Sequence, residues 1–480
     1  MNSFTFSYPT KVYFGEGSAA QAFRTELRKK GKTVLLAYGG GSVKKNGVYD
    51  EVKALLKQAD KTIIDFSGIM PNPTYAKVQE GAAIAREQHV DFILAVGGGS
   101  VIDCCKVISA QALLDEDIWE MEYGKGQFPN AGIPVGAVVT ASGTGAEMNA
   151  GGVITHEEKK WKGGIFGIAP VFAVLDPAYT MSVPPMQVLS GAFDTLSHAM
   201  ETYFGNSDQD NVSDDVALAV MRNTVVNMRR LLKNINDRQV RSNLMWDSAM
   251  AENGILKCGR LTDFQTHQIE HQLGAYTDCN HGQGLAVIHP VYYRHIVKDA
   301  PEKFARLAKD VFGQDTAEAG VAALEDRGFR GACIAAVEAA CFPAAEAATK
   351  EEFAGRLTHY ADHFWLLFED EKLVSFVDGF VTDTPDLTDE MYADASLHDA
   401  HGAWQMIFGV NTLPEYRKQG LAGQLLRRAI ADAKAQGRRG LVLTCKDRLV
   451  HYYAGFGFVS EGVSGSTHGG VVWYQMRLTF

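Results

Sequence analysis

Along the first 180 or so positions, apolar residues come in short runs, each closed by a small polar turn and followed by a stretch with apolar residues every three or four positions. Val34–Tyr38 runs into Gly39-Gly40-Gly41-Ser42 and then VYDEVKALLKQ. Phe92–Val96 runs into Gly97-Gly98-Gly99-Ser100 and then VIDCCKVISAQALL. Ile133–Thr140 ends in ASGTGAE. Apolar runs bounded by glycine turns predict buried strands, and the longer period predicts amphipathic helices. Strand, glycine turn and helix in succession predict an α/β fold with a Rossmann-like parallel sheet over 1–183. From Pro184 the period is helical, which predicts an all-helical domain over 184–324. A third pattern fills 325–480. Helical ACIAAVEAACF and KEEFAGRLTHYAD lead to strands FWLLFED, KLVSFVDGFVTD and Trp404–Val410. Helix QLLRRAIADAKAQ, strand GLVLTC and a closing strand VVWYQMRLTF follow.

Composition narrows the function classes. The chain has 480 residues, 46% of them apolar and 21% charged, the balance of a globular protein. Its net charge of −11 argues against nucleic acid and anionic membranes as partners. Seven cysteines (Cys104, Cys105, Cys258, Cys279, Cys333, Cys341 and Cys445) lack metal-finger spacing, as expected for reduced thiols. No apolar run reaches membrane-spanning length and the first residues lack a signal-peptide core, so a cytoplasmic location is expected.

Asp194 and His198 lie one helical turn apart in GAFDTLSHAMETY and share a face. His267 and His281 follow in THQIEHQLGAYTDCNHGQG. One carboxylate and three imidazoles suit Fe²⁺ or Zn²⁺; taken singly, each is equally a core or surface residue. The glycine turns are either tight turns or places where backbone amides approach phosphate oxygens. Gly97, Gly98, Gly99 and Ser100 lead straight into a helix and are the better diphosphate candidates. Asp103 and Lys106 in that helix face the nucleotide or cap the helix. The first turn carries Ser42, Lys44 and Lys45 and no carboxylate for a ribose hydroxyl, which favours NADP over NAD.

With these segments, SGIMPNPTY, TASGTGAEMNAGGVIT and PVFAVLDPAYTMSVPP, residues 1–324 resemble the iron-containing (group III) alcohol dehydrogenases. The matching branch is that of the butanol dehydrogenases and NADPH-dependent aldehyde reductases. The resemblance implies a metal held by Asp194, His198, His267 and His281 and a diphosphate on Gly97–Ser100. It places Gly39, Gly40 and Ser42 at the adenosine end, and Thr140, Ser142, Thr144 and Lys160 beside the nicotinamide. Lys159 and Lys162 compete for the role of Lys160. His271, one turn after His267, is either a proton relay or a structural histidine. Past VFGQDTAEAGVAALED the family continues with further helices; different sequence follows here.

In the third pattern, Arg417-Lys418-Gln419-Gly420-Leu421-Ala422 forms a strand-to-helix turn whose amides can meet a diphosphate, or is simply a basic helix start. Tyr453 in VHYYAGFGF offers a phenol that can protonate a departing thiolate, or packs beneath a strand. In this order they resemble the GNAT N-acetyltransferases, and CFPAAEAATKEEF, LFEDEKLVSFVDGFVTD and LTCKDRLVHYYAGFGFVSEG resemble the arylalkylamine branch. That resemblance implies acetyl-CoA bound by Arg417–Ala422, its pantetheine against Ile407–Val410, and Tyr453 as general acid. The first strand expected before ACIAAVEAACF is missing or replaced by DRGFRG. The branch's paired histidines fall at Trp404 and Met406, which leaves His398 or His401 as substitutes for a base. An acidic loop, TPDLTDEMYADASLHD, either favours a cationic amine or is a solvated loop.

The expected protein is a metal- and NADPH-dependent alcohol dehydrogenase/aldehyde reductase joined to an acetyltransferase. Its partners would be a small aldehyde or alcohol and a small amine, and a homodimer is left open. The competing reading is that only one module acts, the other being a binding remnant or the product of a recombined chain.

Overall fold

The computed structural model describes residues 2–28, 30–205, 211–277, 280–324, 350–369, 372–466 and 471–480. The chain divides into two compact units, Met1–Glu325 and Asp326–Phe480. The expected helix ACIAAVEAACF and the altered first strand before it lie outside the described residues. No described helix is long and apolar enough to cross a membrane.

The first unit opens with β1 (Lys11–Phe14), α1 (Ser18–Ala22), β2 (Thr33–Tyr38), α2 (Ser42–Lys45), α3 (Val48–Gln58), β3 (Thr62–Phe66) and α4 (Tyr75–Glu87). It continues with β4 (Phe92–Gly97), α5 (Gly99–Gln111), β5 (Val135–Val139), the hairpin β6 (Gly151–His156) and β7 (Trp161–Phe166), and β8 (Phe172–Leu175). Six strands form a sheet in the order β1-β8-β5-β4-β2-β3, every neighbouring pair parallel. Both faces are covered, so the central strands β4 and β5 are buried and apolar or glycine at every position. On β2, Leu35 and Ala37 face one core while Val34, Leu36 and Tyr38 face the other. The chain steps outward from β2 to β3 and then returns to β4 on the opposite side. The reversal leaves a crevice at the carboxyl ends of β2 and β4, where open α/β sheets hold ligands.

A helical layer follows: α6 (Pro185–Tyr203), α7 (Val212–Lys233), α8 (Arg238–Glu252), α9 (Gln265–Thr277), α10 (His281–Ile296), α11 (Pro301–Leu307) and α12 (Ala317–Leu324). Its core joins Phe193, Leu196, Met200 and Tyr203 of α6 to Leu285, Phe304, Val321 and Leu324. Because α6 is buried on nearly every side, polar residues included, Asp194 and Glu201 lie in the interior with it.

The second unit contains α13 (Lys350–Tyr360), β9 (Phe364–Glu369), β10 (Lys372–Asp378), β11 (Val381–Thr382) and α14 (Asp389–Ala393). After these come β12 (Trp404–Ile407), β13 (Gly409–Thr412), α15 (Leu421–Ala435), β14 (Gly440–Cys445), α16 (Val450–Ala454), β15 (Val459–Val463) and β16 (Tyr474–Thr479). The single strand expected at Trp404–Val410 is interrupted at Phe408. Gly379, just past β10, approaches Met406 O so closely that a Cβ would lie 1.8 Å away. β12 pairs in parallel with β14 as far as Ile407–Leu443, whereas β13 pairs with β10. The mixed sheet, with α15 packed against its Leu441, Leu443 and Met476 face, is the α/β arrangement expected for this region.

Candidate metal centre and cofactor-binding turns

Strand register brings the two glycine turns together. Tyr38 pairs with Val96, so Gly39 and Gly97 leave adjacent strands side by side. Gly97 pairs with Val139, and Thr140 N donates to Gly97 O at 3.0 Å or less (2.9 Å), which sets the Thr140–Gly145 loop beside the second turn. Glycine is required at 99, since a Cβ there would come within 2.4 Å of Thr144 Oγ1. No side chain caps the start of α5, where Gly98 is the N-cap and Gly99 and Ser100 open the helix. Gly40 and Ser42 lie at the exposed start of α2, where Lys44 Nζ sits 4.9 Å from the ring centres of both Tyr38 and Tyr49.

In the helical layer Asp194 Oδ1 lies 3.7 Å from His198 Nε2, 3.6 Å from His267 Nε2 and 3.6 Å from His281 Nε2. Asp194, His267 and His281 offer ligand atoms within 4.8 Å of one another, and His198 joins the group through the carboxylate. Asp194 Oδ1 and His267 Nε2 are buried without a hydrogen-bond partner. Orphaned buried polar atoms are costly, so a group of them converging on one point fits a cation-binding site.

A carboxylate stands behind each histidine. Glu201 Oε2 meets His267 Nδ1 and also accepts from His267 N at 3.2 Å, while its Oε1 accepts from Thr266 N at 2.7 Å. Glu270 Oε2 meets His281 Nδ1, and Glu252 Oε1 faces His198 Nδ1 at 3.9 Å. Burial pushes the Asp194 carboxyl up, but His198, His281 and His267 outweigh it and hold the group below the ordinary carboxylate range. Burial lowers His267, yet Asp194 and Glu201 on either side raise it to about 9. Burial lowers His198. Glu201, Glu252 and Glu270 did not emerge from sequence reasoning. Glu201 lies three residues after His198 and Glu270 three after His267, a helical spacing that could have found them. Glu252 has no such local signal.

Two expectations meet a different arrangement, those for Lys160 and Asp103. Lys160 is exposed at the β6–β7 turn, with φ of 48°. It is Lys162, on the buried face of β7, whose Nζ lies 3.4 Å from Glu270 Oε2. Lys160 belongs to the turn, one residue before β7 begins at Trp161, whereas Lys162 lies within the strand and is buried. Asp103 does not face a free crevice: its Oδ2 accepts from Val153 N at 3.1 Å and its Oδ1 pairs with Lys106 Nζ at 2.9 Å. Lys106 is fully buried. His271 is buried with both ring nitrogens unpartnered, and burial holds its pKa well below the ordinary value. Its ring centre is 5.5 Å from that of His281. Of the nicotinamide-side residues, Thr140, Ser142 and Thr144 lie on the β5 loop, and Gly191 of α6 packs against Ser142 O and Gly143.

In the second unit Lys418 and Gly420 take positive φ values of 66° and 82° between β13 and α15. This conformation turns the Arg417–Ala422 backbone sharply into the helix start at Leu421, and Arg417 Nε donates to Thr412 O at 3.1 Å. Tyr453 on α16 is buried near Cys445 and Tyr392, and burial raises its phenol well above the usual value. His398 Nδ1 accepts from Val381 N at 3.2 Å and its ring lies against Tyr360 and His363, so the backbone already engages it. His401 is exposed and Met406 is fully buried. The acidic loop is largely occupied locally. Asp386 pairs with Arg477, Asp389 accepts from Ser466, and Asp383 accepts from Ala403 N.

Residues 9–177 match the family model for iron-containing alcohol dehydrogenase, and residues 188–328 that for the Fe-containing alcohol dehydrogenase family, C-terminal. Residues 317–458 match the acetyltransferase (GNAT) family. NADH-dependent butanol dehydrogenase A of Clostridium acetobutylicum is 39% identical over 318 residues, 66% of this chain and 81% of that protein. NADPH-dependent aldehyde reductase YqhD of Escherichia coli is 38% identical over 297 residues, 61% of this chain and 76% of that protein. The crystal structure of NADH-dependent butanol dehydrogenase A from Thermotoga maritima aligns with a TM-score of 0.66 and 36% identity, covering 69% of this chain and 84% of that one.

Proposed function

Because the chain belongs to the iron-containing alcohol dehydrogenase family and carries a GNAT acetyltransferase domain after it, we propose that it reduces a small aldehyde with NADPH at a divalent metal and acetylates a small arylalkylamine from acetyl-CoA. The observation that carries the first half is the convergence of three imidazole Nε2 atoms on Asp194 Oδ1, with a carboxylate behind each ring.

Asp194, His198, His267 and His281 would hold Fe²⁺ or Zn²⁺, which when bound supplies a Lewis acid for the carbonyl oxygen, while the dinucleotide supplies the hydride. The protein's own part is orientation. Glu201 and Glu270 hold the Nδ1 protons of His267 and His281, which fixes the tautomer and turns each Nε2 lone pair toward Asp194. The amides at Gly97–Ser100 would receive the diphosphate, and Thr140, Ser142 and Thr144 would lie toward the nicotinamide end. Lys162, drawn inward to Glu270, takes the place first given to Lys160. His271, neutral through burial, can accept a proton at one ring nitrogen and release one from the other. NADPH is favoured over NADH because residues 38–45 contain no carboxylate and present Lys44 and Lys45.

In the second unit the Arg417–Ala422 amides and the α15 N-terminus would receive the acetyl-CoA diphosphate. A free-base amine forms the new C–N bond as the C–S bond breaks. The Tyr453 phenol, kept protonated by burial, donates to the departing sulfur, and the amine proton passes to solvent.

The test is NADPH oxidation by the full-length chain with butanal after anaerobic loading with Fe²⁺ or Zn²⁺, NADH run in parallel. Metal-dependent turnover with NADPH preferred is expected. Turnover unaffected by chelation would reject the metal reading. Amine-dependent CoA release from acetyl-CoA tests the second half independently.

A further inference from the structure

The loop after β5 is anchored to the helical layer at two places. Ser248 Oγ on α8 accepts from Gly143 N at 3.0 Å and from Gly145 N at 3.1 Å. Gly145 lies so near α8 that a Cβ would come within 2.6 Å of Glu252 Cβ. Beyond this backbone docking, Asn149 makes a side-chain bridge. Its Oδ1 accepts from Lys106 Nζ at 3.0 Å, and its Nδ2 donates to Glu252 Oε2 at 3.2 Å.

Each end of the bridge reaches a candidate site. Lys106 stands on α5, the helix that begins at the diphosphate turn, and its buried Nζ also holds Ala146 O at 2.8 Å and Asp103 Oδ1 at 2.9 Å. At the other end Glu252 Oε1 faces His198 Nδ1 across 3.9 Å. Both of these atoms are buried and neither makes a hydrogen bond. Lys257 Nζ holds Oε2, the oxygen that Asn149 also contacts, at 3.2 Å. A single polar path thus runs from α5 through Lys106, Asn149 and Glu252 to a histidine of the metal cluster.

We propose that Asn149 is a positioning residue that couples dinucleotide occupancy to metal affinity, an inference that rests on the metal reading above. Lys106 ties α5 to the Ala146–Asn149 segment, so displacement of α5 by a bound diphosphate carries Asn149 with it. Asn149 then draws Glu252 toward His198 and converts the 3.9 Å contact into a hydrogen bond. That bond fixes the imidazole with its proton on Nδ1 and makes Nε2 the better ligand. Linkage requires the effect to be reciprocal: metal strengthens dinucleotide binding by the same factor.

The experiment uses the full chain and two equilibrium readouts. Zn²⁺ affinity is measured against a chromophoric chelator with and without saturating NADPH, and NADPH affinity by nicotinamide fluorescence in metal-free and Zn²⁺-loaded protein. In the wild type both ratios should agree, at about fivefold or more, and in Asn149→Ala both should fall to within about twofold of one. Metal-free Asn149→Ala should still bind NADPH. Asn149→Asp, which retains the acceptor for Lys106 but loses the donor to Glu252, should behave alike and covers the case of a poorly folded alanine variant. In a Glu252→Gln background, Asn149→Ala should change neither ratio further. Wild-type ratios of one, or variants that keep the wild-type ratio, would overturn the coupling. Zn²⁺ binding that survives Asp194→Asn unchanged would overturn the metal reading itself, and the coupling with it.

Discussion

The candidate metal cluster of the first unit consists of side chains that hold one another: four ligand candidates, three carboxylates behind them and a lysine behind one of those. The Arg417–Ala422 turn of the second unit is a backbone feature, shaped by two positive-φ residues, with one buried phenol supplied from α16. A site of the first kind is held by its neighbours: Glu201 engages His267, Glu270 engages His281, and Lys162 engages Glu270. It also concentrates ionisable groups where the core would otherwise be apolar, and removal of one member strands the rest. A site of the second kind tolerates change in most side chains and depends on conformation. The two should therefore fail differently under substitution.

The largest effect belongs to the first kind. Asp194→Asn should abolish stoichiometric metal binding and lower aldehyde reduction by about 10³-fold or more, since a bound metal contributes several kcal/mol to the transition state. Elemental analysis beside NADPH oxidation checks it, and full metal content would break the comparison at once. Next, Tyr453→Phe should slow acetyl transfer by about 10²-fold while acetyl-CoA binding stays at the wild-type level. Equal transfer rates in the two proteins would remove the phenol from the chemistry. Glu201→Gln leaves all four ligands in place but weakens the hold on His267, and metal affinity measured by chelator competition should drop about 10- to 100-fold. The smallest effect is the sharpest contrast with Lys162: Lys160→Ala, at an exposed turn, should change stability by no more than about 0.5 kcal/mol in chemical denaturation and leave KM for NADPH unchanged.

Much of this was legible in the sequence, for identifiable reasons. Asp194 and His198 declare a shared helical face through their spacing, and the glycine turns declare strand ends, where a Cβ at Gly97 or Gly99 would collide with Val101 or Thr144. Glu252 was invisible, since only tertiary packing of α8 brings it to His198. The choice between Lys160 and Lys162 depended on the β6–β7 hairpin, whose WKGGIF strand carries two glycines and no clean apolar alternation. The break at Phe408 accompanies the close approach of Gly379, which no local pattern announces. His398 carried the right chemistry, but its hydrogen bond to Val381 N belongs to the fold and could not be read from composition.

One helix bears on how the chain can be divided. The two family matches overlap at 317–328, yet α12 packs its Ala317, Val321 and Leu324 into the core that holds α6 and α10. An acetyltransferase fragment begun at residue 317 would carry away a side of the dehydrogenase interior and expose the metal helices to water. Any attempt to express the two enzymes separately, or to graft either onto a new neighbour, should leave α12 with the first unit and place the cut beyond Leu324.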